Sequence, residues 1–425
     1  VVTADAWTVD GVTRRRPWLR DLEGLARSGP STFFRHAWRP VVRRRIAAAR
    51  AVIAASLGVA SAAPAASPSA PVTEAGVALS PVAEAGVLEP VRGRVGFAPV
   101  GAITYSRETS AMVGTAGVLF FKPPEHVLRR TSQITVGAAY SVRRQLVATV
   151  NGDLFVWHDA ARFQFAANYL YYPDSFFGIG NATRLSDQER FTPRTYELRV
   201  APQVHAFGAL FLGPTFRIED VTILSVDPNG ALATGDVFGS QGGFDFSFGV
   251  GASYDTRDNT LYPLRGTSFQ YYTLVSEPRL GSDFRMSRTW LDYRRYFPIV
   301  HTEHVLAVQL LGRFGQGELP FFDLGRLGGE RLLRGHFNGR YRDRQLIAAQ
   351  AEYRLPIVWR LGAVAFVGLG DVARRLSDLE VLELKYSLGG GARLNVSKHE
   401  RVNLRADFGW GGDEYDAYVS VGEVF

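Results

Sequence analysis

Residues 244–254 read FDFSFGVGASY. Phe244, Phe246, Phe248, Val250, Ala252 and Tyr254 fall on one face of a strand, and Asp245, Ser247, Gly249, Gly251 and Ser253 on the other, because successive side chains of a strand point to opposite sides. The pattern recurs toward Phe425. Val402, Leu404, Ala406, Phe408 and Trp410 alternate with Arg401, Asn403, Arg405, Asp407 and Gly409. A water-soluble sandwich would press the apolar faces together inside. A transmembrane barrel turns them outward to lipid and keeps a wet interior. Arg and Asp interleaved with Phe and Trp suit the second arrangement, with charges facing water and aromatics facing lipid or its interface. The expected fold is all-β, a transmembrane antiparallel β-barrel.

Sixteen strands are expected, at 97–105, 111–121, 132–141, 145–157, 161–171, 194–204, 208–218, 244–254, 266–277, 284–297, 303–313, 343–355, 360–370, 385–394, 400–409 and 415–424. Most have the length that crosses a bilayer at a tilt. An even number lets both chain ends sit on the periplasmic side. Tight turns at Arg143-Arg144, Phe207-Gly208 and Val300-His301 are expected at the periplasmic end. Long connections at 172–193, 219–243, 314–342 and 371–384 are expected outside. Tyr415, Tyr418 and Phe425 read as part of an aromatic girdle.

Residues 40–62, PVVRRRIAAARAVIAASLGVASA, have a basic start, a short apolar run and an Ala60-Ser61-Ala62 end. That is the layout of a secretory signal peptide. Residues 1–39 read as a non-native upstream extension, 63–96 as a flexible Ala/Pro/Ser linker, and 97–425 as the barrel. The net charge of +7 belongs to the N-terminus. Residues 1–50 hold 11 Arg and 4 acidic residues, and the remainder holds 37 basic and 37 acidic. No basic face for nucleic acid is expected. Past the signal no apolar run is long enough for a membrane helix. Export without a helical span places the chain in the outer membrane of a Gram-negative bacterium, with its lipid as the first partner.

Residues 254–269, YDTRDNTLYPLRGTSF, resemble the bacterial surface-antigen barrels, which include the barrel-assembly insertase and the two-partner-secretion transporters. Asp255, Arg257, Asp258, Pro263, Arg265 and Gly266 stand where that family has a D-x-R-D turn, a Pro and an R-G pair. Residues 327–356 are similar to its long lid loop and the following strand, with Arg334-Gly335 as the R-G pair. Residues 97–121 resemble its first hairpin, and Phe177 to Asn181 a further motif.

The resemblance implies a long extracellular loop folded into the lumen, with Arg334 docked on the inner wall. Alternation puts Gln350, Glu352 and Arg354 on the luminal face, which offers Glu352 as its partner. The alternative is an arginine that only meets water in a polar pore. His336 stands where the family has an aromatic. Gly368 stands where its F-x-D-x-G motif has Asp, which would remove one carboxylate from Arg334. The 34 residues of 63–96 are fewer than a domain needs, so no client-binding POTRA (polypeptide-transport-associated) domain is expected there. The barrel would then work with a separate periplasmic POTRA-bearing protein. The terminal Phe425 fits the aromatic read by the barrel-assembly machinery during biogenesis.

Pro99 and Gly101 lie in the first strand. Proline cannot donate a ladder hydrogen bond, so the seam between first and last strands, Phe425 included, is a candidate weak point that opens sideways. The alternative is a fully paired seam with one bond missing. There is no Cys, and no G-x-S-x-G occurs, so no catalytic nucleophile of those types is available. His301 and His304 lack a further ligand set. No catalytic residue, metal or cofactor is expected. Membrane-protein assembly or polypeptide transport is the first function implied. A passive or lid-gated pore, or a structural surface antigen, is the second, and a barrel enzyme the third.

Overall fold

The computed structural model describes residues 95–121, 130–299, 304–380, 383–397 and 401–425, and a separate hairpin of Ala6–Val9 with Val12–Arg15. The expected signal peptide and nearly all of the expected linker lie outside the described residues. Sixteen long strands close into a barrel: β1 (Val95–Ser106), β2 (Ser110–Phe121), β3 (Ser132–Ser141), β4 (Leu146–Val156), β5 (Ala161–Tyr171), β6 (Glu189–Phe207), β7 (Leu210–Val226), β8 (Gly242–Asp255), β9 (Gly266–Ser276), β10 (Met286–Pro298), β11 (Val305–Gly317), β12 (Gln345–Val358), β13 (Leu361–Ala373), β14 (Lys385–Ser397), β15 (Val402–Gly411) and β16 (Glu414–Val421). Each pairs antiparallel with its sequence neighbours, and β16 meets β1. Among the described residues no helix is long and apolar enough to cross a membrane. The crossing is made by strands.

The alternation decides which face is which. On β15, Phe408 and Trp410 are exposed, while Asn403, Arg405 and Asp407 are buried. On β8, Phe248 and Val250 are exposed, and Asp245 and Ser247 are buried. The apolar set therefore faces the bilayer and the charged set faces inward. At the loop-rich end Phe244 departs from its set and is buried, beside a connection that caps its strand through a bond from Phe244 N to Asp283.

Counting from β1 corrects the placement of one turn. The β3–β4 turn carrying Arg143-Arg144 lies at the loop-rich, extracellular end: Arg143 Nε donates to Ser110 Oγ, and Gln145 Nε2 to Glu108 O and Pro173 O. Connection length is a poor guide to side here. Strand parity fixes the side.

The seam is the sparsest junction. Among the described residues the β1–β16 ladder has one pair, Tyr105 with Val419, where β1–β2 has twelve. Continued in register, Glu423 would face Gly101 and Phe425 would face Pro99. Instead β16 stops at Val421, and Gly422 takes a left-handed φ of 84°, a conformation glycine adopts freely. Phe425 leaves the seam and is buried with Tyr296, Val305, Ala307 and Val424. Its carbonyl accepts from Arg354 Nη2 at 2.8 Å. Tyr418 is also buried, because it shares parity with the inward Asp416 and Ser420. Of the three expected girdle residues, only Tyr415 faces lipid.

Candidate functional site

The connection between β11 and β12, residues 318–344, contains a small sheet of Gly325–Leu327 with Tyr341–Asp343. Between these strands lies Arg334. Its Nη2 donates to Glu352 Oε2 at 2.7 Å and its Nη1 to Asp407 Oδ2 at 2.6 Å. The guanidinium carbon sits 3.4 Å from the centroid of the Phe366 ring, a cation–π contact strengthened by desolvation. Glu352 projects from β12, Phe366 from β13 and Asp407 from β15, so one side chain ties three wall strands together. The wall balances the charge: Arg354 donates to Glu352 at 2.8 Å, and Arg393 to Asp407 at 2.5 Å and to Glu423 at 2.9 Å. Arg405 pairs with Asp407 and with Glu330 of the loop. Charge-assisted bonds in a low-dielectric site are the strong ones.

The loss of a carboxylate at Gly368 does not weaken this site. Asp407, two strands further on, occupies the role, and Gly368 instead makes room for Leu333. The inward parity of Asp407 was visible in the sequence, but its distance from Arg334 was not.

Gly335 explains the other half of the R-G pair. Its φ is 112°, and a Cβ there would lie 2.8 Å from Gly409 C and Trp410 N. Loop and wall backbones touch, so neither Gly335 nor Gly409 tolerates a side chain. Gly335 N donates to Tyr418 Oη at 3.1 Å, and the Ser387 hydroxyl donates to the Arg334 carbonyl. His336 places Nε2 2.9 Å from Tyr386 O. The aromatic role passes to Phe337, whose ring meets Phe177 edge-on at 5.3 Å. The 177–181 motif thus packs on the loop, and Gly180 N bonds to Arg342 O. Asp371, at the loop end of β13, is buried and accepts from Asn181 Nδ2 at 3.0 Å.

The same loop touches both sides of the seam. Phe337 N and Arg340 Nε donate to Glu414 of β16 at 3.1 and 2.9 Å. Asn338 N donates to Glu108 in the β1–β2 turn at 2.7 Å. Arg107 of that turn reaches Glu414 at 2.8 Å and lies over the Phe337 ring. Burial pushes the Glu108 carboxyl up to about 7, and the negative charge of Asp416 adds to the rise.

The structure brings Arg334, Gly335 and Glu352 together. It keeps Asp255, Arg257, Asp258, Arg265 and Gly266 at the opposite, periplasmic end. Pro99 and Gly101 lie on β1, and Phe425 lies away from them. His304 Nδ1 is 2.8 Å from the Tyr353 hydroxyl; His301 lies outside the described residues.

A closed sixteen-stranded barrel with an apolar outer wall and a charged inner wall is an integral outer-membrane protein. A family model for the Omp85 superfamily domain matches residues 185–421, more than half of the chain, and the chain belongs to that superfamily. Its place is the outer membrane of a Gram-negative bacterium. Among solved structures it is similar to BamA from Haemophilus ducreyi lacking POTRA domains 1–3, with a TM-score of 0.52, 12% identity, and coverage of 78% of this chain and 70% of that one. It is similar to CdiB from Acinetobacter baumannii, with a TM-score of 0.51, 12% identity and coverage of 78% and 60%. It is also similar to CdiB from Escherichia coli, with a TM-score of 0.51, 15% identity and coverage of 78% and 64%. At these identities the likeness is one of fold, and the chain spans 60–70% of those chains. No curated protein matches the sequence.

Proposed function

We propose that this barrel assists the insertion or transfer of polypeptides at the outer membrane by opening sideways between β1 and β16. The observation that carries the reading is the seam itself. Among the described residues one ladder pair joins its strands, and the tail that would extend the ladder turns away at Gly422. Unpaired strand edges are templates for another chain, and an extended polypeptide adds to such an edge through main-chain bonds. Membership of the Omp85 superfamily and the fold likeness to BamA and CdiB support the same reading.

In this reading loop 318–344 is a lid seated in the lumen, with Arg334 as its anchor and Glu352 and Asp407 as its sockets. Clients reach the barrel through a separate periplasmic POTRA-bearing protein in this reading. The barrel does its work by geometry, without enzymatic chemistry.

The test is a disulfide across the seam. The chain has no Cys, so Tyr105→Cys with Val419→Cys gives one defined bridge. Liposomes carrying the double variant and a purified POTRA-bearing partner are supplied with an unfolded outer-membrane barrel. Insertion faster than in empty liposomes is expected for the reduced protein and absent for the oxidised one. Equal insertion by both forms rules out sideways opening. Planar-bilayer conductance checks the lid: deletion of 328–341 should raise it several-fold, and an unchanged conductance counts against a plug.

A further inference from the structure

The stretch 254–269, conspicuous in the sequence, takes no part in the lid. It is nevertheless a tightly built connection. Arg257 grips Asp255 with Nη2 to Oδ2 at 2.6 Å and Nε to Oδ1 at 3.0 Å. Asp258 Oδ1 accepts from Leu264 N and Arg265 N. Asn259 Oδ1 accepts from Leu261 N and Tyr262 N, both at 2.8 Å. Three side chains thus pre-shape residues 258–264 as a rigid finger. Such local side-chain bonds hold a loop without help from a ladder.

The finger points across the barrel. It springs from β8 and β9, and in a ring of sixteen strands these lie eight positions from the β1–β16 seam by either route. Yet Leu261 is buried in one cluster with Val402 of β15 and Val421 of β16, and Ala102 of β1 packs against that cluster. Asp258 Oδ2 holds Arg401, next to β15, at 2.6 Å. Leu264 packs beside Phe425, and Arg354 lies 5.4 Å from the Tyr262 ring centroid. The loop therefore spans the periplasmic mouth and ends on the seam. Val402 and Val421 share the parity of the lipid-facing Phe408 and Val419, yet they are only 2% and 7% exposed. Their burial is in the Leu261 cluster.

From this we infer that loop 256–265 is an internal brace that holds the lower seam shut, with Leu261 as its tip and the Asp258–Arg401 ion pair as its tether. It acts where the ladder is missing, below Tyr105. The lid residues Asn338 and Phe337 act at the upper end. The seam then opens only after the finger withdraws, and a polypeptide entering from the periplasm meets the finger first. This rests on the sideways-opening reading, and deepens it.

Spin labels on Ile103→Cys of β1 and Ala417→Cys of β16, both lipid-facing, report the gap in the full barrel in vesicles. A second pair, Val113→Cys with Val136→Cys, reports the intact β2–β3 junction. Leu261→Ala should add a longer-distance population across the seam, raising the open fraction roughly tenfold as the cluster loses its tip, with the β2–β3 distance unchanged. Leu261→Met should restore the closed distance. Asp258→Asn, which keeps the fold but weakens the tether, should open the seam by a smaller factor. Glu414→Gln, on the lid side, is the comparison. If Glu414→Gln widens the gap and neither Leu261→Ala nor Asp258→Asn does, the brace is wrong and the opening seam survives. If none of the three widens it, both are wrong.

Discussion

The wall formed by β6, β7 and β8 and the seam opposite it are closed by different forces. Thirteen backbone pairs join β6 to β7, and thirteen join β7 to β8. Behind that wall Arg217 bonds Glu197 and Glu219 at 2.9 and 2.8 Å, and Arg288 bonds Asp245 at 2.7 Å. Most of these charges come from the wall strands themselves. At the seam one pair is found among the described residues, and further cohesion comes from turn and loop groups: Arg107, Phe337, Asn338 and Arg340 above, Leu261 below. A ladder of many backbone bonds breaks only by unfolding. A junction held mainly by turn and loop groups can, under the proposal, open when those groups move while the remaining strands keep their pairing. In the proposed reading, this asymmetry makes one side of the barrel a hinge and the other a frame.

The sharpest way to break this contrast is to remove one buried arginine on each side. Arg334→Gln leaves Glu352 and Asp407 short of a partner and should destabilise the barrel by about 3–5 kcal/mol, read as a lower guanidinium midpoint and altered heat-dependent gel mobility. Arg217→Gln should destabilise comparably, because it too strands buried carboxylates. Only Arg334→Gln should also widen the spin-label distance across the seam. Equal widening by both would erase the distinction between hinge and frame.

A smaller effect is expected at Glu108. Its raised pKa means that the folded state holds a proton that the unfolded chain releases at the ordinary carboxyl value near 4.5. Its stabilising contribution is therefore complete below about pH 4.5 and is lost as pH rises through about 7. The loss is on the order of 2–3 kcal/mol. The upper seam should close more firmly in acid. Unfolding midpoints of wild type and Glu108→Gln at pH 4.5 and 7.5 isolate the contribution: the fall with rising pH should be smaller in the variant by that amount. An identical pH dependence in the two proteins would sink the assignment.

The smallest effect is expected at Pro99. Restoring the N–H with Pro99→Ala should change stability by less than about 0.5 kcal/mol, because the residue that would face it, Phe425, has left the sheet. A gain well above that, measured by equilibrium unfolding, would mean that the tail does pair with β1.

Much of the fold was legible because a strand's side-chain period is two and each face met a different solvent. All sixteen strands could be placed from alternation, and so could the inward sense of Glu352. Arg334 was legible only through resemblance, since a lone R-G pair has no period to announce it. Asp407 as its second partner was missed because a carboxylate expected at Gly368 is supplied from a strand 39 residues later in the chain, a substitution that only closure of the barrel reveals. Tyr418 lies near the C-terminus, as girdle aromatics do, but its parity with Asp416 turns it inward. The short Arg143-Arg144 turn lies outside because strand count, not connection length, fixes the side.

What the sequence determined by itself is local and repetitive: strand positions, the greasy and charged faces, and the turn chemistry of Asp255 to Gly266. What tertiary structure decided is which distant groups meet. Arg334 rests against Glu352 and Asp407, Leu261 crosses the mouth to the seam, and Phe425 folds inward instead of extending β16. The physical reason is that periodicity records the medium each residue faces, whereas pairing across a lumen depends on ring closure and register, which no single strand carries.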